Sequence, residues 1–289
     1  MAAIAEAFTE QALLLGPRRS LVSVIARPRT PGDAGLPALV ILNTGIVHRV
    51  GHHRMYVTLS RLLAAGGYTV VRFDQSGLGD SSPRSDQLPP LAAGLADIKE
   101  VLDTLETSHR GSRFVLIGLC SGADQAVLYG HTDPRVVGLV IMDPTIPPTP
   151  RYYLHYILHR MSHLQNWISV ITGRSGLIRM ASAHLMNRIR PQEKSGPPSL
   201  QDLQLSPYLA QCYAATAARG LKILAAFTAL SPRHAYVRQI LDAFPEVSVQ
   251  GTLQLQYFPE SDHLFSAAAD RTRLFRVIDS WLALHWTVR

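Results

Sequence analysis

Short apolar runs alternate with amphipathic stretches through most of this chain. Ala38 to Leu42 is apolar throughout and predicts a buried strand, Met55 to Ala65 reads as a helix, Tyr68 to Phe73 as a strand and Pro90 to Glu106 as a helix. Phe114 to Ile117 predicts the next strand, Ala123 to Tyr129 a helix, and Val136 to Met142 another strand, which ends in Asp143-Pro144. Upstream, Leu13 to Leu15 and Leu21 to Ile25 flank Gly-Pro-Arg-Arg and read as an antiparallel hairpin, followed by a Pro/Gly-rich loop from Pro28 to Pro37. Strands that are apolar on both faces need helices on both faces, so the pattern predicts an α/β chain with a mostly parallel central sheet.

The alternation stops at about Pro147 and returns with strands at Lys222 to Thr228 and Thr252 to Phe258 and a last helix from Ala267 to Leu284. The expected organisation is therefore a core from 1 to 146, a helical cap or lid inserted over 147–221, and the rest of the core from 222 to 289. Within the insertion, Leu154, Ile157, Leu158, Met161, Leu164, Ile168 and Ile171 recur at three- and four-residue spacing, with His155, His159, Arg160 and His163 largely on the other face. An amphipathic, cationic lid helix is expected there.

Charge sharpens that picture. The 289 residues carry a net +7, and the segment from Arg151 to Lys194 holds seven basic residues against Glu193 alone, so the basicity is local. With no nucleic-acid-binding motif, nucleic acid is not an expected partner. The basic face is either simply solvated or suited to an acidic carrier protein bearing an acyl thioester, with contact to an anionic membrane surface the weaker choice. A composition of 47% hydrophobic and 17% charged residues excludes a disordered or collagen-like chain. No uninterrupted apolar run reaches the roughly 18 residues of a membrane span. Met1 to Gln11 has two acids among alanines in place of a basic and then apolar leader. Cys120 and Cys212 cannot build a disulfide framework and lack metal-ligand spacing, so a cytoplasmic protein without metal or cofactor is expected.

Chemistry in an open parallel sheet is sought beyond the carboxyl ends of its strands. There the chain reads Gly118-Leu119-Cys120-Ser121-Gly122, between a strand and a helix. Small residues two before and two after a nucleophile permit a tight strand-turn-helix elbow, and the helix amino terminus favours negative charge at the turn. Cys120 is the candidate nucleophile; a buried structural cysteine is the alternative. A thiol nucleophile needs a base, and His263, after the last strand in Ser261-Asp262-His263, is placed for it, whereas His48, His52 and His53 share one early loop and His155, His159, His163 and His184 lie in the insertion. The orienting acid is open. The loop after Thr228, Ala229 to His234, has no carboxylate; Asp143 on the preceding strand is the first substitute, though Asp-Pro is also an ordinary turn starter. Asp262 and Asp124 are minor candidates, and a dyad without an acid is chemically sufficient for a thiol. Donors for a carbonyl oxygen are expected from the Ser121 N–H and from Asn43-Thr44-Gly45-Ile46, where Gly45 allows close approach and Ile46 supplies the N–H.

With these motifs in place, the chain resembles the α/β-hydrolase superfamily over almost its whole length. Asn43 to Gly51, Arg72 to Ser81 and Gly118 to Asp124 resemble in particular the hydrolases found with exosortase systems and related biosynthetic clusters. The resemblance implies a cofactor-free acyl enzyme with a Cys-His pair, Cys120 and His263. The chemistry of a cysteine acyl-enzyme makes a small-molecule or carrier-bound ester or thioester the expected substrate, with hydrolysis or acyl transfer as the outcome. The absent acid after Thr228 is a departure from the family pattern. Two other readings of the same pocket stay open: elimination or cyclisation of a metabolite with His263 as base, and a non-enzymatic binding protein with a vestigial site.

Overall fold

In the computed structural model, residues 7–30, 35–109, 112–147, 149–152, 154, 205–229, 236–249 and 252–286 are described. Eight strands form one sheet: β1 (Phe8–Leu15), β2 (Leu21–Pro28), β3 (Ala38–Ile41), β4 (Val70–Phe73), β5 (Phe114–Leu119), β6 (Val136–Met142), β7 (Lys222–Thr228) and β8 (Leu253–Phe258). Their spatial order is β1-β2-β4-β3-β5-β6-β7-β8. β1 and β2 form the expected antiparallel hairpin, β2 joins β4 antiparallel, and every pairing from β4 to β8 is parallel.

The strand period of two splits the core cleanly. On β5, Phe114 and Leu116 face one layer while Val115, Ile117 and Leu119 face the other. The first layer packs under α2 (Pro90–His109), α3 (Ser121–Gly130) and α4 (Leu205–Ala218), the second under α1 (Met55–Ala65) and α7 (Ala268–His285). Two short helices, α5 (Gln239–Ala243) and α6 (Pro245–Val249), lie between β7 and β8. Because β3 to β7 are largely buried on both sides, each of them contributes apolar area to two layers at about 25 cal/mol per Å².

Several boundaries move from those expected, each for a physical reason. β5 runs on to Leu119 and α3 starts at Ser121, ahead of the Ala123 that helix propensity favours, because the turn itself accommodates Gly122 at a close contact. α4 falls inside the stretch expected as a cap. It has no clear polar face, and Leu209, Cys212, Tyr213 and Thr216 are buried where it crosses between β6 and β7. The amphipathic lid helix and nearly all of the basic segment lie outside the described residues. Among the described residues no helix is long and apolar enough to cross a membrane.

Candidate active site

The parallel ladder delivers three loops to one sheet edge. Between β5 and α3 the turn is made by Cys120 alone, with φ 56 and ψ −119. A residue with a side chain in that region carries strain of order 1–3 kcal/mol, and the neighbours show what imposes it. A Cβ on Gly118 would sit 2.2 Å from the carbonyl carbon of Gly122 and 2.5 Å from the Ala123 nitrogen; one on Gly122 would sit 2.5 Å from the Asn43 oxygen. Strand, turn and helix thus touch backbone to backbone. The Cys120 N–H donates to Met142 O at 2.9 Å, which ties the elbow to the end of β6.

The next residue along β6 is Asp143, also at positive φ (43°), with its N–H bonded to Ala226 O at 2.8 Å. Its carboxylate is buried and accepts the Thr228 N–H at 2.8 Å, the Thr228 hydroxyl at 2.5 Å and the Nδ1–H of His263 at 2.9 Å. With Nδ1 on Asp143, the ring also interacts with the Cys120 side chain. The bonds to Asp143 and then to Cys120 outweigh burial and lift His263 to about 9. The imidazole therefore holds its proton at neutral pH, and the sulfur faces an imidazolium.

An acid does stand beside His263, and it comes from β6. Asp262 and Asp124 are engaged elsewhere. Asp262 accepts the N–H groups of Leu264 (2.9 Å) and Ser266 (3.1 Å), shaping the histidine loop, and these bonds hold it below its usual range against the opposing effect of burial. Asp124 accepts the Thr145 N–H and hydroxyl, both at 2.7 Å, and so pins the loop that follows Asp143.

The loop after β3 completes the edge. Thr44 O accepts the Val47 N–H at 3.0 Å, closing a turn with Gly45 at φ 54. The Gly45 N–H donates to Ser121 Oγ at 2.7 Å, so this amide is drawn to the elbow and is bonded to the hydroxyl beside the candidate nucleophile. Ser121 stands at the amino terminus of α3, and the Ile46 side chain projects outward, 87% exposed. Cys120, His263 and Asp143 are thus brought into one chain of hydrogen bonds, with Gly45 and Ser121 next to it.

Three contributors were not singled out from the sequence. Thr228 occupies the strand end where an acid was sought and donates twice to the acid of the adjacent strand; a hydroxyl residue at an acid-free strand end was the available signal. Asn43 links the loop to β4 through its Oδ1, which accepts the Gln75 N–H at 2.8 Å, and its Nδ2, which donates to Val47 O at 2.8 Å. His52 lies close enough to the site that burial, His53 and His263 together push it below its ordinary value.

Among the described residues one trio has metal-like spacing, His48, Asp74 and Asp80, with candidate ligand atoms within 4.8 Å of one another. Arg49 meets its charge: the guanidinium pairs with Asp74 and lies 2.8 Å from Asp80. The Arg49 N–H also donates to Asp74 at 2.6 Å, so the cluster reads as the brace of two loops.

A family model described as serine aminopeptidase, S33, matches residues 38–199. The chain belongs to this family of α/β hydrolases. The family is named for a serine enzyme, whereas the elbow here carries Cys120. Solved structures agree on the fold. A hypothetical protein from Pseudomonas aeruginosa superposes with a TM-score of 0.61 at 14% identity, covering 96% of this chain and 94% of that one. An esterase from Pyrococcus furiosus gives 0.59 at 13% identity, covering 99% and 95%. An α/β serine hydrolase without lid from Xanthomonas campestris gives 0.56 at 13% identity, covering 98% and 96%. No curated protein matches the chain.

Two outcomes follow from this geometry. Gly118→Ala forces a methyl into backbone atoms that cannot rotate away; it is expected to lower stability by about 1–3 kcal/mol in urea unfolding, with slowed alkylation of Cys120. His263, with its folded value raised above the ordinary 6.5, adds stability that is fully present below pH 6.5 and is lost as pH rises through about 9. Imidazole NMR titration should place His263 near 9 in the wild type and lower in both Asp143→Asn and Cys120→Ala; a wild-type value near 6.5 would refute the coupling.

Proposed function

We propose that this α/β hydrolase is a cysteine-nucleophile acyl enzyme acting on an ester or thioester. The observation that carries the reading is the position of Cys120 at the strained elbow, within one hydrogen-bond chain to His263 and Asp143.

The sulfur attacks the carbonyl carbon, forming a C–S bond while the carbonyl electron pair moves onto oxygen. The N–H groups of Ser121 and Ile46 receive that charge, with the α3 dipole behind them. Collapse breaks the bond to the leaving alcohol or thiol, which takes the proton from His263. The now neutral imidazole removes a proton from water or from an acceptor hydroxyl, amine or thiol, which attacks the thioester; collapse returns the sulfur and leaves the proton on His263. Asp143, held by Thr228, keeps Nδ1 protonated and the ring oriented throughout.

An active-site sulfur is a good leaving group and exchanges readily with thiols and amines, which favours activated acyl substrates over amides and makes transfer to a second substrate as natural as hydrolysis. The resemblance to exosortase-associated hydrolases fits a role in a biosynthetic pathway. The motive for a vestigial site was the missing acid after Thr228; the Asp143 carboxylate 2.9 Å from His263 Nδ1 counts against that reading.

Incubation with an acyl thioester followed by intact-protein mass spectrometry is expected to show a single acyl adduct on the wild type and none on Cys120→Ala. Absence of the adduct from the wild type, or its persistence in Cys120→Ala, would sink the reading. Asp143→Asn is expected to retain the adduct but form it about 10²- to 10⁴-fold more slowly, because the base loses its orienting carboxylate.

A further inference from the structure

The loop after β3 needs something to hold it at the elbow, because β3 ends at Ile41 while β5 continues to Leu119. Ladder pairing of the two strands ends at Ile41 and Ile117, followed by the bond from Leu42 N–H to Ile117 O at 2.9 Å. A phenol adds a further tie beyond that point. Tyr56, in the first turn of α1, is 1% exposed; its hydroxyl lies 2.6 Å from Thr44 Oγ1 and interacts with the backbone N–H of Leu119, the residue before the nucleophile. One oxygen therefore bridges the strand that carries Cys120 and the loop that carries Gly45 and Ile46.

The surroundings are built to receive this ring. Its backbone N–H donates to Val50 O at 3.2 Å. Gly51, at φ 72, lies under the ring so closely that a Cβ there would meet Tyr56 Cγ at 2.8 Å. Burial pushes the phenol up to about 12, so it remains a neutral donor and acceptor across the working pH range. Thr44 itself is buried and lies immediately before the Gly45 amide that reaches Ser121 Oγ.

We propose that Tyr56, through its hydroxyl pair with Thr44 and its contact with the Leu119 N–H, is a positioning residue that sets the Asn43–Val47 loop against the elbow and thereby aligns the donors for the carbonyl oxygen. The inference rests on the acyl-enzyme reading. It separates two reactions of the same sulfur. Acylation by a carbonyl develops an oxyanion and depends on donor alignment, whereas alkylation by iodoacetamide displaces iodide at a saturated carbon and develops none.

The test compares these reactions in Tyr56→Phe, Thr44→Val and the double variant, with a p-nitrophenyl ester as acyl probe and adduct formation on Cys120 followed by intact mass. Removing an oxyanion donor outright costs about 10²- to 10³-fold, so a displaced loop should slow acylation by about 10- to 100-fold in each single variant, with KM changed less than about twofold. Alkylation should stay within about twofold of wild type. The double variant should be no slower than the slower single, since the bond that Thr44→Val removes is also removed by Tyr56→Phe. Where Tyr56→Phe fails to fold, Thr44→Val carries the same comparison. Unchanged acylation, acylation and alkylation falling together, or additive losses would each overturn the role of Tyr56. A wild type that is alkylated at Cys120 but never acylated overturns the acyl-enzyme reading and this inference with it; a wild-type adduct with unaffected variants overturns this inference alone.

Discussion

The site depends on a backbone-to-backbone contact. Gly118 lies against the Gly122 peptide and Gly122 against the Asn43 carbonyl, so β5, α3 and the loop after β3 meet with no side chain between them. This closeness forces Cys120 into a conformation that residues with a Cβ seldom occupy, and the surrounding packed sheet holds it there. The consequence is directional: the sulfur is turned out of the sheet toward His263, and the α3 amino terminus lies behind it. Much of the remaining architecture serves to keep that contact closed. Cys120 is tied to Met142, Asn43 to Gln75, and Thr44 to Tyr56.

The acid illustrates how tolerant a parallel sheet is of rearrangement at its edge. Adjacent strand ends lie about 4.8 Å apart, so a carboxylate moved from one strand to its neighbour still reaches the same imidazole once its side chain is aimed. Here the aiming is done by Thr228, whose amide and hydroxyl both bind the Asp143 carboxylate. The arrangement has an electrostatic result: buried and triply hydrogen-bonded, Asp143 keeps the proton on His263, so an imidazolium stands beside the Cys120 sulfur.

Charged side chains elsewhere on the described surface act mainly as braces. Arg49 joins the loops after β3 and β4 through Asp74 and Asp80; Arg72 and Arg61 converge on Glu10 of the opening hairpin; Arg135 ties β6 to α2 through Asp103 and Glu106. Each ties a loop, strand or helix to a neighbouring element. This chain thus combines apolar layers that hold the sheet with ion pairs that tie its elements together.

Periodicity alone determined most of the fold. Strand runs apolar at every position can only be buried on both faces, and β6 and β7 were readable to their last residue, as was α1. The elbow was legible too, because a turn that tight requires small residues at Gly118 and Gly122 and leaves a recognisable spacing. His263 followed from its place after the last strand. Tertiary structure decided what spacing cannot carry: Asp143 and Thr228, far apart in the chain, share a carboxylate only because β6 and β7 are neighbours, and Tyr56 reaches Thr44 and Leu119 only because β3 stops before β5. Likewise α4, with no clear polar stripe, shows itself as a core crossover only once packed on the sheet. Local pattern records which way a side chain faces, while a hydrogen bond between distant segments depends on strand order and register, which the chain acquires only on folding.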